Sequence, residues 1–167
     1  VREPTRRYPV LYMHDGQNVF DDARAAFGKS WHAGDTADRL AREARIRPVI
    51  LVAIDNTDAR LDEYGLYHEP AHDAGGQAEE YARFVLEEVK PFIDRTYRTL
   101  PGRRDTGTCG ASMGGLVSLT MAWKHPERIG LCGVLSPSLW WARTRVLDEM
   151  EDDAAWMRRV RFWLCMG

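Results

Sequence analysis

Residues 106–126 read TGTCGASMGGLVSLTMAWKHP. A short run of Thr, Gly and Cys gives way, across Gly110-Ala111-Ser112-Met113-Gly114, to a segment whose apolar residues recur at helical spacing. A serine set two residues from a glycine on either side, between a strand-like and a helix-like segment, fits the nucleophile-elbow pattern. The residue types follow from geometry. The serine must take a strained backbone conformation to lift its Oγ above the sheet. Side chains two positions away would collide as the helix folds back on the strand. The turn also aims N–H groups, at the positive end of a helix, toward any oxyanion that forms there. Ser112 is therefore the candidate nucleophile, and the N–H of Met113 one candidate oxyanion donor.

Working outward, four further apolar runs have strand character: PVLYMH (9–14), PVILVAI (48–54), GLCGVL (130–135) and VRFWLCM (160–166). They are continuous rather than alternating, the pattern of strands buried on both faces. Helical patterns lie between them at 35–46, 76–97, 112–125 and 142–160, with Pro91 placed to bend or end the second. Alternation of strand and helix predicts an α/β fold, a mostly parallel sheet flanked by helices on both faces, in one domain over 1–167. The polar connection 55–75 follows a strand's carboxyl end, where open α/β sheets bind ligands.

The bulk properties narrow the function classes. The chain has 167 residues, 44% hydrophobic, with a formal net charge of −2, so it carries no electrostatic footprint for nucleic acid. No apolar run approaches the ~20 residues of a membrane span. The three cysteines, Cys109, Cys132 and Cys165, sit in apolar runs and are expected as buried free thiols, consistent with a reducing, cytoplasmic compartment. The histidines, cysteines and scattered aspartates lack zinc-ligand spacing, and no phosphate-cradling glycine loop is present, so neither metal nor cofactor is expected. Oligomeric state is not legible.

A second oxyanion donor is sought after an adjacent strand. His14-Asp15-Gly16-Gln17 ends such a run, and the N–H of Gln17 is the candidate.

Together YPVLYMHDGQNVFD, AIDNTDARLDEY, YARFVLEEVKPFIDRTYRTL, GASMGGLVSLTMAWKHPE and LSPSLWW resemble, in this order, an esterase family of the α/β-hydrolase superfamily that includes enterochelin, feruloyl and acetyl-xylan esterases, esterase D and mycolyltransferases. The resemblance covers residues 8–167. It implies an α/β-hydrolase fold, a small-molecule ester substrate, Ser112 as nucleophile, and the Met113 and Gln17 amides as the oxyanion hole. It places Trp140 and Trp141 near the acyl or alcohol pocket, and Asp15, Arg60 and Glu63 beside it as substrate-binding residues. Read alone, the two tryptophans serve equally well as core aromatics, and Arg60 and Glu63 as a solvated loop pair.

A serine hydrolase also needs a base and an acid to orient it, in the chain order Ser, Asp/Glu, His on this fold. After Ser112 the only histidine is His125, thirteen residues down the helix and so roughly 20 Å away at ~1.5 Å per residue. His14, at a strand's carboxyl end, would be an out-of-order surrogate. The family pattern puts the acid just after VRFWLCMG and the histidine later, so the sequence reads as the central part of such an enzyme, lacking terminal elements at both ends. Two function classes remain: a serine carboxylic-ester hydrolase, with acyl transfer as a variant, and a catalytically silent binding module.

Overall fold

The computed structural model describes residues 5–166; residues 1–4 and Gly167 of the expected domain lie outside them. Five strands form one sheet: β1 (Val10–His14), β2 (Ile50–Ile54), β3 (Thr106–Ala111), β4 (Leu131–Leu135) and β5 (Arg161–Cys165). Their order is β2-β1-β3-β4-β5, and every neighbouring pair is parallel. Each of the five apolar runs is a strand. Parallel neighbours require crossovers, and the intervening helical segments supply them.

Helix α1 (Ala33–Arg42) covers one face, where Leu11, Met13 and Leu51 line a groove together with Ala33, Ala37 and Leu40. The opposite face of β1 presents Val10, Tyr12 and His14, all buried. On that side lie α2 (Arg60–Tyr64), α3 (Ala78–Arg83), a π-helical turn (Phe84–Val89), α4 (Lys90–Thr96), α5 (Met113–Lys124) and α6 (Arg145–Asp152). Tyr64, Tyr81, Leu116, Val117, Met121 and Val134 belong to the core between these helices and the sheet.

Pro91 neither ends nor visibly breaks the helical run over 78–96. Proline lacks an N–H and its ring crowds the carbonyl four residues back. The chain widens into the π turn immediately before it and resumes as α4 with proline in its first turn. The segment 142–160 is less regular than its pattern predicts. Only α6 is α-helical, between 3-10 turns at Trp141–Thr144 and Ala154–Arg159.

Burial on both faces holds for the interior of the sheet and fails at its edge. All five residues of β5 are exposed, Trp163 at 56% and Leu164 at 61%. Among the described residues β5 pairs only with β4, so continuous apolarity here does not correspond to cover. Cys165 is accordingly an exposed thiol, not a buried one, whereas Cys132 is buried and Cys109 half-buried.

Candidate active site

Ser112 stands between the end of β3 and the start of α5 with φ 56° and ψ −122°, a conformation that L residues rarely adopt. A serine before a helix ordinarily takes an extended backbone and caps an N–H of the first turn with its hydroxyl. Ser112 does neither, and its side chain makes no cap hydrogen bond. Its Oγ lies instead 3.0 Å from Ser138 Oγ. The residue is exposed, while Met113, Gly114 and Gly115 behind it are buried. This is the geometry that the glycine spacing predicts.

The reason for the glycines is visible atom by atom. A Cβ on Gly110 would stand 2.3 Å from Gly114 O and 2.4 Å from its carbonyl carbon. One on Gly114 would stand 2.9 Å from Asp15 Oδ2. Strand end and helix start are in backbone contact, and only glycine permits it.

The β4 exit holds the turn from the other side. Ser112 N–H donates to Leu135 O at 3.0 Å, and Ser138 N–H donates to Ser112 O at 3.1 Å. Ser138 is buried beside the nucleophile. Sequence reasoning attended to the tryptophans of LSPSLWW and passed over this serine; its place right after a central strand's carboxyl end was the available signal.

The first N–H groups of α5 have no partner within the helix, so the Met113 amide is available at a positive helix end. Against Gly114, Asp15 opens a 3-10 turn over Gly16–Asn18. That turn is closed by Asn18 N–H to Asp15 O at 2.9 Å and Val19 N–H to Gly16 O at 3.1 Å, which leaves the Gln17 N–H outside the ladder. The Gln17 side chain exchanges hydrogen bonds with Asn56, donating from Nε2 to Asn56 Oδ1 and accepting the Asn56 N–H at 3.3 Å. The turn is thereby tied to the exit of β2. Gly16 is pressed against β2, where a Cβ would meet Ile54 backbone at 2.6 Å.

The remaining candidates separate. Trp140 is 57% exposed, with the His72 ring centroid 5.7 Å away. Trp141 is 2% exposed and donates from Nε1 to Tyr67 O at 2.7 Å, with His72 stacked on it at 5.5 Å. Trp141 is thus a core pillar under the 65–75 loop, and of the pair only Trp140 offers a free face. Asp15 and Arg60 bind each other. Arg60 Nε donates to Asp15 Oδ1 at 2.6 Å and Nη2 donates to Oδ2 at 2.7 Å. Glu63 accepts from Thr57 Oγ1 at 2.8 Å, and Thr57 in turn accepts the Ala59 N–H at 3.1 Å. Arg60 thus ties the start of α2 to the exit of β1, and Glu63 ties α2 to Thr57 in the loop after β2.

His14 is excluded as surrogate base. Its Nδ1 is 2.8 Å from the Tyr81 hydroxyl and its Nε2 2.8 Å from Thr108 Oγ1. Complete burial pushes its pKa down to about 3, so the ring is neutral, and both its nitrogens are taken. His125 caps the far end of α5. No described histidine is hydrogen-bonded to Ser112. Among the described residues no group of three or more His, Cys, Asp or Glu is placed to hold a metal ion, and no helix is long and apolar enough to cross a membrane.

The chain is similar to known proteins over nearly its whole length. The chain is 30% identical over 157 residues to an endo-1,4-beta-xylanase/feruloyl esterase of Xylanibacter ruminicola, covering 93% of this chain and 19% of that protein. It is 29% identical to the iron(III) salmochelin esterase of Escherichia coli, covering 95% of this chain and 38% of that one. It thus spans about a fifth to two fifths of the length of these relatives. The crystal structure of BES protein from Bacillus cereus superposes with a TM-score of 0.77 at 21% identity, over 99% of this chain and 65% of that one. An IroE-like serine hydrolase from Shewanella oneidensis gives a TM-score of 0.71 at 22% identity, over 97% and 51%. The likeness shows the fold, a parallel sheet flanked by helices of the α/β-hydrolase kind. The family described as "Putative esterase" matches residues 1–166, and the chain belongs to that esterase family.

Proposed function

We propose that this chain carries the nucleophile and oxyanion hole of a serine carboxylic-ester hydrolase acting on small or sugar-linked acyl esters. The observation that carries the reading is Ser112: exposed, uncapping, at φ 56° and ψ −122° on a turn whose flanking glycines are in backbone contact. That strain has no use in a plain strand-to-helix connection. The activities in the relatives' names, feruloyl and salmochelin ester cleavage, support the same class.

In the proposed reaction Ser112 Oγ attacks the ester carbonyl carbon, and its proton passes to a base. The carbonyl oxygen becomes an oxyanion held by the Met113 and Gln17 amides. Collapse breaks the bond to the alcohol oxygen, which leaves protonated, and forms an acyl-serine. Water then attacks that acyl group, releasing the acid and restoring the serine hydroxyl. An acceptor alcohol in place of water makes the same sequence an acyl transfer. Ser138 holds Oγ between turnovers, and Trp140 offers a flat apolar face to the acyl or alcohol part. No described histidine is hydrogen-bonded to Ser112, so in this proposal the base comes from outside the described residues. That same observation favours the second reading, a silent α/β-hydrolase-like module.

One assay separates the two. Hydrolysis of a p-nitrophenyl ester is measured for the 167-residue chain, for a longer protein containing it, and for Ser112→Ala in both. The expected result is feeble turnover in the short chain, faster turnover in the long one, and loss of that gain in Ser112→Ala. A folded long protein without esterase activity overturns the proposal in favour of the silent module.

A further inference from the structure

The carboxylate of Asp15 is 7% exposed and gripped at both oxygens by Arg60, whose side chain is 27% exposed. Burial of such a pair adds little to stability, because desolvation of two charges offsets their attraction. Its position supplies another role. Arg60 and Tyr64 lie four apart and so on one face of α2. The Arg60 guanidinium sits 5.3 Å from the Tyr64 ring centroid. The Tyr64 hydroxyl accepts the Asp15 N–H at 3.2 Å. One short helix therefore holds Asp15 by side chain and by backbone.

What it holds is a strained hinge. Asp15 is left-handed, at φ 57° and ψ 51°, and is the residue from which the Gly16–Asn18 turn springs. Those two angles, together with those of Gly16, set the direction of the Gln17 N–H. On its other side the same carboxylate faces the nucleophile turn, with Oδ2 2.9 Å from where a Cβ on Gly114 would be. Asp15 thus touches both halves of the cleft at once. That carboxylate lies against Gly114, next to the candidate donor Met113, and the Arg60 guanidinium compensates its charge.

We propose that Asp15 and Arg60 are positioning residues: a bidentate clamp that aims the Gln17 amide across the cleft at Met113 and neutralises the carboxylate that does the aiming. The catalytic consequence rests on the Ser112 reading above. Donor placement matters steeply, since a shift of about 1 Å in a catalytic group costs on the order of 10²-fold in rate.

The test uses the longest active protein containing this chain, with Arg60→Ala, Arg60→Lys, Asp15→Asn and Ser112→Ala. Arg60→Ala strips the compensating charge and the clamp, so kcat on the p-nitrophenyl ester falls about 10²-fold with KM within ~3-fold of wild type. Added methylguanidinium restores part of that kcat. Arg60→Lys keeps the charge but loses the fork, and lies between. Arg60→Lys also serves if Arg60→Ala does not fold. A second readout is independent of turnover: amide hydrogen exchange across 15–19 accelerates in the Arg60 variants, while exchange at the Met121–Lys124 end of α5 does not. A rise in KM at constant kcat would make the pair substrate-binding and overturn the proposal. Unchanged exchange across 15–19 would overturn it as well. If Ser112→Ala retained full activity, the nucleophile assignment would fail by itself, and the exchange data would still decide the clamp.

Discussion

Replacing Gly110 by alanine tests the elbow more directly than removing the serine, because it leaves the hydroxyl and alters only the backbone contact that raises it. The added Cβ would stand 2.3 Å from Gly114 O, over an ångström inside ordinary van der Waals contact, and the obstacle is backbone rather than a movable side chain. At an unstrained site Gly→Ala stabilises a protein by about 0.4–1 kcal/mol through the unfolded chain. Gly102 offers that site, since it has φ −71° and ψ 152° and nothing within 4 Å of its Cβ position. At Gly110 overpacking costs about 1–3 kcal/mol or more, and the start of α5 has to move to relieve it. The expected net loss is up to about 2.6 kcal/mol, read as a Tm lower by up to roughly 10 °C for a chain of this size. Because the Met113 amide and Ser112 move together, ester hydrolysis should fall by about 10²-fold or more. Thermal melts and the p-nitrophenyl assay on Gly110→Ala and Gly102→Ala make the comparison. If Gly110→Ala proved as benign as Gly102→Ala in both, strand and helix would not be in contact at the elbow and the reasoning would be refuted.

His14 should make the protein acid-sensitive in a defined window. Its pKa is about 3 in the folded state against an ordinary 6.5, so between those values the unfolded chain binds the extra proton and stability falls as pH drops below 6.5. The slope from this group is at most about 1.4 kcal/mol per pH unit. Urea midpoints from pH 6.5 to 4.5 should therefore decline more steeply for wild type than for His14→Gln; parallel declines would show that His14 titrates normally. The thiols should separate as well. Cys165 is exposed, while burial raises Cys132 and pushes Cys109 up to about 11. A native-state thiol titration should find Cys165 reacting fast and the other two only on unfolding, and equal rates for all three would contradict their placement.

How far the primary structure reached can be judged at particular residues. The five strands, their parallel pairing, the elbow at Ser112 and the family were all legible, because each rests on local chemistry. Apolar runs of strand length, helical spacing between them and a glycine pair around a serine carry their meaning wherever they fold. The π turn that lets the helix run past Pro91 is invisible in periodicity. The fates of Trp140 and Trp141 could not be separated, since adjacent aromatics differ only in which side of the chain finds cover. Pairing of Asp15 with Arg60, 45 positions apart, and of Ser112 with Ser138 arises where the segments leaving the carboxyl ends of parallel strands meet. The locking of His14 between Tyr81 and Thr108 comes instead from the packing of α3 on the sheet and the pairing of β1 with β3. The exposure of β5 likewise follows from its having a partner on one side only among the described residues. Local sequence determined what each segment would become and which residue stands on the strained turn. Only the parallel stacking of strands, which places distant loops within hydrogen-bond distance, decided which side chains face the cleft and which hold it in shape.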